Sequence, residues 1–138
     1  MSENTFHFSL VSPDRILLSE QVERVTVPGT EGEFGVLKDH APILSSLKDG
    51  VATIILEGGA EEKIFVAGGF ADVNDNICTI LAEDAVKVSD IDRDALKMDR
   101  EVLERKLERL QDTEDAAPKI AQLELQLARI DSKMDLAA

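Results

Sequence analysis

The sequence predicts a mainly β fold with an α appendage: an N-terminal β-sandwich over residues 1–88 and a C-terminal antiparallel two-helix hairpin over residues 89–138. All eight glycines and all five phenylalanines lie at or before Phe70. Beyond Ser89 the chain is charged, lacks glycine and places leucines three or four residues apart, as amphipathic helices do. The first segment can therefore form a packed core, whereas the second needs a surface to lie against.

The first segment predicts short strands separated by turn residues. Phe6, Phe8 and Leu10 alternate with polar residues, which is the period of a half-buried strand. Residues 51–56 form a nearly continuous apolar run, which predicts burial on both faces. Further strands are predicted at residues 15–18, 22–27, 63–67, 70–73 and 77–81, with strand structure continuing to about Val88. No stretch between them suits a helical crossover, so the spacing favours a sandwich or barrel over an α/β fold.

The second segment predicts two helices. Residues 89–92 are a typical helix start, because small polar and acidic side chains cap free backbone N–H groups. Residues 112–117 interrupt the pattern, and Pro118 suits the first turn of a second helix. The first helix places on one face Leu96, Leu103, Leu107 and Leu110, with Val102 beside them. The second helix has the three-and-four spacing of a two-helix seam at Ile120, Leu123, Leu127, Ile130 and Met134.

The charge balance argues against two classes of partner. The chain carries 28 acidic and 15 basic residues, for a net charge of −13. A nucleic-acid interface needs clustered Lys and Arg, which neither segment supplies, so nucleic acid and bare anionic membrane are poor candidate partners. No apolar run approaches the roughly 18 residues of a membrane-spanning helix. Residues 1–5 lack the features of a signal or transit peptide, so a soluble chain is expected.

Candidate catalytic residues are few. The histidines are His7, expected to face solvent from its strand, and His40, which lies near Glu33 and Asp39. One histidine with scattered acids makes a poor zinc site, so no metal and no cofactor is predicted. Cys78 is the only cysteine and sits in an apolar run, which predicts a buried side chain and not a reactive thiol.

Residues 29–35 carry a glycine every third residue, a spacing that invites comparison with a phosphate-binding loop. A phosphate cradle needs backbone N–H groups at a helix N-terminus together with Lys or Arg. This loop carries Glu31 and Glu33 instead. The pattern therefore predicts a β-turn followed by a bulged strand.

A longer series of motifs covers essentially the whole chain. It runs through residues 25–37, Asp39-His40-Ala41-Pro42, residues 43–50, residues 66–73 and residues 79–85, and then enters the predicted hairpin. In this order the motifs resemble the epsilon-subunit family of the bacterial rotary F-type ATP synthase. The resemblance implies a non-catalytic subunit whose β-sandwich lies at the foot of the central stalk, against the gamma subunit and the ring of c subunits. Such a subunit helps to couple proton-driven rotation of the ring to ATP synthesis.

The resemblance also implies positions that bind partners. Glu31 and Glu33 match the loop that faces the c ring, and His40, Ala41 and Pro42 match the segment near gamma and the ring. An exposed ion pair contributes only about 0–1 kcal/mol, so buried apolar contact with gamma is expected to carry most of the affinity. Relatives often have Gly at the position of Asp39, a departure expected to alter the local backbone and not the fold.

The family's hairpin is implied to be a mobile regulatory element. Folded, it permits rotation; extended along gamma into the catalytic head of alpha and beta subunits, it obstructs ATP hydrolysis. The hairpin residues expected to make contacts are Lys119, Arg129 and Lys133. Because acids on the same helix nearly balance these bases, inhibition is expected to be weak.

Some relatives bind ATP through an Ile/Leu-Asp-x-x-Arg-Ala motif at the start of the first helix. Ile91 and Asp92 match its first two positions, but Ala95 stands at the arginine and Leu96 at the alanine. Arg93 is no simple substitute, because two residues along a helix is about 200° around it. The motif is degenerate, and weak or absent ATP sensing is expected.

Two interpretations from other classes remain open. One is a free-standing sensor of a small molecule or nucleotide, built on the same fold. The other is an enzyme that uses the cluster of His40, Glu33 and Asp39. The epsilon-family interpretation places the chain on the cytoplasmic face of the bacterial inner membrane, where it associates with the membrane only through the complex.

Overall fold

A computed structural model describes residues 4–111, 113 and 115–137 of the chain. The chain forms two units. The division falls between Val88 and Ser89, giving units Met1–Val88 and Ser89–Ala138. Met1 to Glu3, part of the segment compared with leader peptides, lie outside the described residues.

The first unit is a β-sandwich, as predicted. Its strands are β1 (Phe6–Val11), β2 (Ile16–Gly29), β3 (Gly32–Val36), β4 (Ile43–Ser46), β5 (Gly50–Leu56), β6 (Glu61–Ala67), β7 (Phe70–Asn74), β8 (Ile77–Leu81) and β9 (Asp84–Lys87). One layer has the order β4-β7-β8-β1-β2 and the other the order β3-β2-β5-β6-β9. All neighbours pair antiparallel except β1 and β8, which are parallel.

Strand β2 replaces the two separate strands predicted at residues 15–18 and 22–27. Its first half pairs with β1, and its second half pairs with both β3 and β5. The register shifts between Val22 and Arg24, which marks a β-bulge. The bulge changes which positions face inward, so that Val22 and Val25 are both buried although they are three residues apart. The prediction of two strands was wrong because a bulge looks like a break in the period-two pattern.

The core lies between the two layers. Phe6, Phe8 and Leu10 are all buried in it, which confirms the alternation predicted for β1. Strand β5 differs from its prediction: Ala52 and Ile54 are buried, but the residues beside them are only half-buried, so the strand is not buried on both faces.

Two predictions about single side chains can be judged directly. Cys78 is fully buried, as predicted, and burial together with the Asp72 carboxylate raises the pKa of its thiol to about 12. His7 lies on the outer face of β1, where it is half-exposed and its Nε2 is 3.1 Å from the Ser9 hydroxyl and 3.2 Å from the Ser19 hydroxyl. It is therefore part of a polar surface cluster and not a fully solvated side chain.

The connection between β2 and β3 contains the predicted turn, but the strand that follows the turn has no bulge. Thr30 and Glu31 form a two-residue turn, and β3 then pairs with β2 in an unbroken register from Gly32 to Val36. The predicted turn is confirmed and the predicted bulge is wrong. Glycine is needed here because a Cβ on Gly29 would lie 2.9 Å from the carbonyl oxygen of Gly32.

A short 3-10 turn, Val88–Asp90, spans the boundary between the units, and the second unit contains helices α1 (Arg93–Leu110) and α2 (Ala117–Leu136). Asp92 is the N-cap of α1, where its carboxylate accepts hydrogen bonds from the backbone N–H groups of Asp94 (3.0 Å) and Ala95 (3.2 Å). Pro118 lies in the first turn of α2, as predicted. Of the predicted interruption at residues 112–117, Asp112 and Glu114 lie outside the described residues.

The two helices are antiparallel. Near one end the guanidinium of Arg100 pairs with the Asp131 carboxylate, and near the other end Leu110 and Leu123 line the same hollow. The predicted seam residues of α2 are its half-buried or buried apolar positions, with Ile130 only 6 % exposed. Val102 does not join the seam of α1, since it is 48 % exposed.

Candidate partner-binding site

The acidic turn, defined as Thr30 and Glu31 together with Glu33 at the start of β3, is held by the neighbouring layer. The backbone N–H of Thr30 donates to the carbonyl of Ser46 over 2.9 Å, and Gly29 forms an isolated bridge with Leu47. Leu47 in turn donates its N–H to the carbonyl of Gly69 over 3.0 Å. These contacts fix the acidic turn to the sandwich on the β2 side of its chain reversal, and β3 pairs with β2 on the other side.

Gly69 sets how closely this end of the sandwich packs. Its φ is +92°, and a Cβ at this position would collide with the carbonyl oxygen of Leu81. Only glycine allows the backbone to approach so closely at that φ. Since Gly69 accepts the hydrogen bond from Leu47, this contact supports the acidic turn indirectly.

The carboxylates of the acidic turn are available to a partner. Glu31 and Glu33 are both exposed. The turn therefore presents negative charge on a fixed backbone, a suitable arrangement for contacting basic side chains.

A second region follows the end of β3. Leu37 to His40 form a turn closed by a hydrogen bond of 3.2 Å from the N–H of His40 to the carbonyl of Leu37. The Nδ1 of His40 lies 2.6 Å from the carbonyl oxygen of Ala41, so this nitrogen donates the hydrogen bond. The imidazole is thus bonded to its own loop, and Ala41 and Pro42 are exposed beside it.

Sequence reasoning missed the apolar residues that flank His40. Leu37 is 58 % exposed and Leu44 is 70 % exposed, and Ile43 between them is partly exposed. We call residues 37 and 41–44 the apolar segment. Such exposed apolar side chains indicate a binding surface when they are contiguous. Their hydrophobicity was visible in the sequence, but the exposure of Ile43 and Leu44 follows from the position of β4 at the edge of its layer.

The structure does not bring all of the predicted partner-binding residues together. The acidic turn lies at the start of β3, whereas His40, Ala41 and Pro42 follow its end. Three residue steps from Glu33 to Val36 separate the two regions by about 10 Å along the strand. The proposed enzyme cluster is affected too, because Glu33 lies near the start of β3 while Asp39 and His40 lie beyond its end. Within the described residues no group of His, Cys, Asp and Glu is arranged to hold a metal ion.

The start of α1 uses the degenerate ATP motif for helix capping. Asp92 is committed to the backbone N–H groups of the first turn, and Ala95 is one of the two residues it caps. Ile91 is half-buried, while Arg93 and Ala95 are exposed. The matching Asp therefore has a structural role that requires no nucleotide.

The basic residues of the hairpin lie at two places. Lys119 lines an open hollow of about 400 Å³ near the helix connection, together with Lys106, Arg109, Leu110, Gln122 and Leu123. Arg129 and Lys133 are half-buried further along α2. Sequence reasoning missed Lys106 and Arg109, although antiparallel pairing of the helices places residues 106–110 beside residues 119–123.

Comparison with known proteins identifies the family. The family model described as "ATP synthase, Delta/Epsilon chain, beta-sandwich domain" matches residues 5–88. A protein named ATP synthase epsilon chain from Chelativorans sp. (strain BNC1) is 51 % identical over 89 residues, covering 64 % of this chain and 66 % of the relative. A second, from Mesorhizobium japonicum, is 53 % identical over 88 residues, covering 64 % and 65 %. The match thus spans just under two thirds of the length of these two relatives.

Longer matches come from other proteins. The epsilon chain of Nitratidesulfovibrio vulgaris (strain DP4) is 42 % identical over 128 residues, covering 93 % of this chain and 95 % of the relative. A chain in the structure of the Euglena gracilis mitochondrial ATP synthase, described as OSCP/F1/c-ring, superposes with a TM-score of 0.69 at 29 % identity, covering 93 % of this chain and 78 % of that chain.

A more distant structure shares the fold alone. It is a chain of the central stalk and c ring of the Tetrahymena thermophila mitochondrial ATP synthase, with a TM-score of 0.53 at 16 % identity, covering 91 % of this chain and 92 % of that chain. None of the helices in the described residues combines the length and hydrophobicity needed to cross a bilayer. The β-sandwich over residues 5–88, the two helices that follow and the near full-length relative together show that the chain belongs to the delta/epsilon family of ATP synthase subunits.

Proposed function

We propose that this chain is the non-catalytic epsilon subunit of a bacterial F-type ATP synthase. In this role it joins the gamma subunit to the c ring and helps to transmit rotation to the sites of ATP synthesis. The observation that carries the proposal is the family match across the whole sandwich. The chain reaches the cytoplasmic face of the inner membrane only through the complex.

The acidic turn and the apolar segment contribute to docking in different ways. The acidic turn presents Glu31 and Glu33 to basic side chains of the c ring, where exposed pairs worth about 0–1 kcal/mol each set orientation more than strength. The apolar segment provides affinity for gamma, because burying a leucine side chain contributes about 1.5–3 kcal/mol. His40, Ala41 and Pro42 lie within this contact.

The hairpin is a regulatory element in this proposal. The hollow lined by Lys106, Arg109 and Lys119 concentrates positive charge in a chain of net charge −13, which suits contact with acidic side chains of the catalytic head. Arg129 and Lys133 extend the basic surface along α2. The apolar seam packs the helices against each other and the exposed Arg100–Asp131 pair adds a contact between them, so the hairpin can act as one body.

The alternative of a free-standing sensor is not favoured, because the relatives that match nearly the full length are named as ATP synthase chains. The enzyme alternative is weakened by the separation of Glu33 from His40 along β3 and by the hydrogen bond that commits the His40 ring to a backbone carbonyl.

Leu44→Ser tests the apolar segment. Leu44 is 70 % exposed, so the substitution leaves the core intact while removing a leucine from the proposed contact with gamma. We expect gamma and c subunits to be isolated together with the wild-type chain from solubilised membranes. We expect the affinity of the variant for them to be lower than that of the wild-type chain by at least about tenfold. Met98→Ser is the matched control, since Met98 is 68 % exposed on α1. Recovery of the wild-type chain without gamma would contradict the proposed function.

Removal of residues 89–138 tests the regulatory role. We expect ATP hydrolysis by the assembled enzyme to rise by about fivefold or less, the low end of usual coupling energies, because the basic residues of α2 are nearly balanced by acids. Lys119→Gln should reproduce part of this rise, whereas Lys97→Gln, on the exposed part of α1 away from the hollow, should not. Unchanged hydrolysis after the truncation would refute an inhibitory hairpin.

Calorimetry tests the loss of ATP sensing. We expect no heat of binding below millimolar ATP for the isolated chain, because Ala95 replaces the arginine of the motif and Asp92 caps the helix. Ala95→Arg restores that side chain at an exposed position and should produce measurable binding. Sub-millimolar binding by the wild-type chain would overturn this part of the proposal.

A further inference from the structure

Asp39 and Asn76 lie in two different turns that meet at one end of the sandwich. Asp39 occupies the turn that closes between Leu37 and His40, and its φ is +65°. Asn76 occupies the two-residue turn between β7 and β8, with φ of +60°, after Asp75 with φ of +51°. Positive φ is unfavourable for residues other than glycine, although Asn and Asp tolerate it best. A stabilising interaction is therefore expected at both positions.

A reciprocal pair of hydrogen bonds between Asp39 and Asn76 stabilises both turns. The backbone N–H of Asp39 donates to the side-chain oxygen of Asn76 over 2.6 Å, and the side-chain amide of Asn76 donates to the Asp39 carboxylate over 3.0 Å. The two residues are 37 positions apart in the sequence, so the contact ties separate parts of the chain. The Asn76 amide thus uses one of its N–H donors and its oxygen acceptor on a single partner.

One side of this pair is anchored in the sandwich. The carbonyl of Asn76 accepts a hydrogen bond of 3.1 Å from the N–H of His7, next to the parallel pairing of β1 and β8. The strands so joined bury Phe8 and Cys78 directly beyond the turn. The other side of the pair belongs to the loop that carries Ala41 and Pro42, which are exposed. The pair therefore connects an exposed loop to a rigid support.

We propose that Asp39 and Asn76 form a clamp that holds the loop of His40, Ala41 and Pro42 in the conformation that docks on the rotor. This inference rests on the proposed function, because it assigns a positioning role at the same binding site. Ordering a loop on association costs free energy, and a loop that is ordered beforehand binds more tightly. At position 39 the chain has a residue that both tolerates the turn and bonds to the support.

The clamp requires particular side-chain groups at positions 39 and 76. One must supply a donor and the other an acceptor, and both must tolerate positive φ. Asn76→Asp keeps the acceptor for the Asp39 N–H but removes the amide donor and sets two carboxylates against each other. The double variant Asp39→Asn with Asn76→Asp restores the pair with its polarity reversed, because the amide introduced at position 39 donates to the carboxylate at position 76. Neither change disturbs the φ that the turns require.

Two measurements on these variants test the clamp. The first is the hydrogen-exchange protection factor of the backbone amide at position 39, measured by NMR on the isolated full chain. We expect Asn76→Asp to lower it about tenfold and the double variant to restore it. The second is the affinity for membranes that carry the ATP synthase without this subunit. We expect Asn76→Asp to weaken binding about threefold to tenfold and the double variant to recover it. Asn74→Asp is the control, because it adds the same charge at an exposed position two residues away.

The outcomes separate the clamp from the proposed function. An unchanged protection factor in Asn76→Asp would show that the pair does not hold the loop. Altered protection with unchanged affinity would leave a purely structural pair and overturn the positioning role. Affinity that the double variant does not recover, although protection returns, would overturn it as well. If even the wild-type chain failed to bind, the docking role of the clamp would fall together with the proposed function, while the exchange data would still establish whether the two turns are held.

Discussion

Strand β2 belongs to both layers of the sandwich, and the rest of the fold depends on the bulge that lets it do so. Up to Val22 it pairs with β1, and from Val22 onward, across the bulge, it pairs with β5. The extra residue at the bulge turns both Val22 and Val25 into the core, where a straight strand would expose one of them. Closing the two layers in this way fixes the end of β2, from which the acidic turn projects.

The same constraint determines how partners can approach. Strand β3 follows β2 and carries a proposed binding region at each of its ends, the acidic turn at its start and the apolar segment after Val36. Contacts around Gly69 hold the acidic turn, and the hydrogen bonds between Asp39 and Asn76 hold the loop that leads to the apolar segment. Such rigid attachment suits the proposed role in transmitting rotation, because any loop that yields under load would weaken the coupling between rotor parts.

The local patterns in the sequence predicted most of the architecture, and the contacts between distant residues explain what they left out. Alternation located β1, three-and-four spacing located the helical seam, and the motif order located the family. The continuity of β2 was hidden by its bulge, although the odd spacing of Val22 and Val25 is a usable signal. Edge strand β4 was missed because Leu44 is exposed and shows no burial pattern. The role of Asn76 depends on a partner 37 residues away, which no local pattern reveals.

Photo-crosslinking in assembled membranes tests most directly the claim that the two ends of β3 face the rotor. A photoreactive residue is placed at Glu31, at Ala41 or, as a control, at Glu57 in the exposed turn between β5 and β6. The account predicts crosslinks from position 31 to a c subunit, from position 41 to gamma or the c ring, and none to either partner from position 57. Crosslinks from position 57 equal to the others, or none from positions 31 and 41, would contradict it.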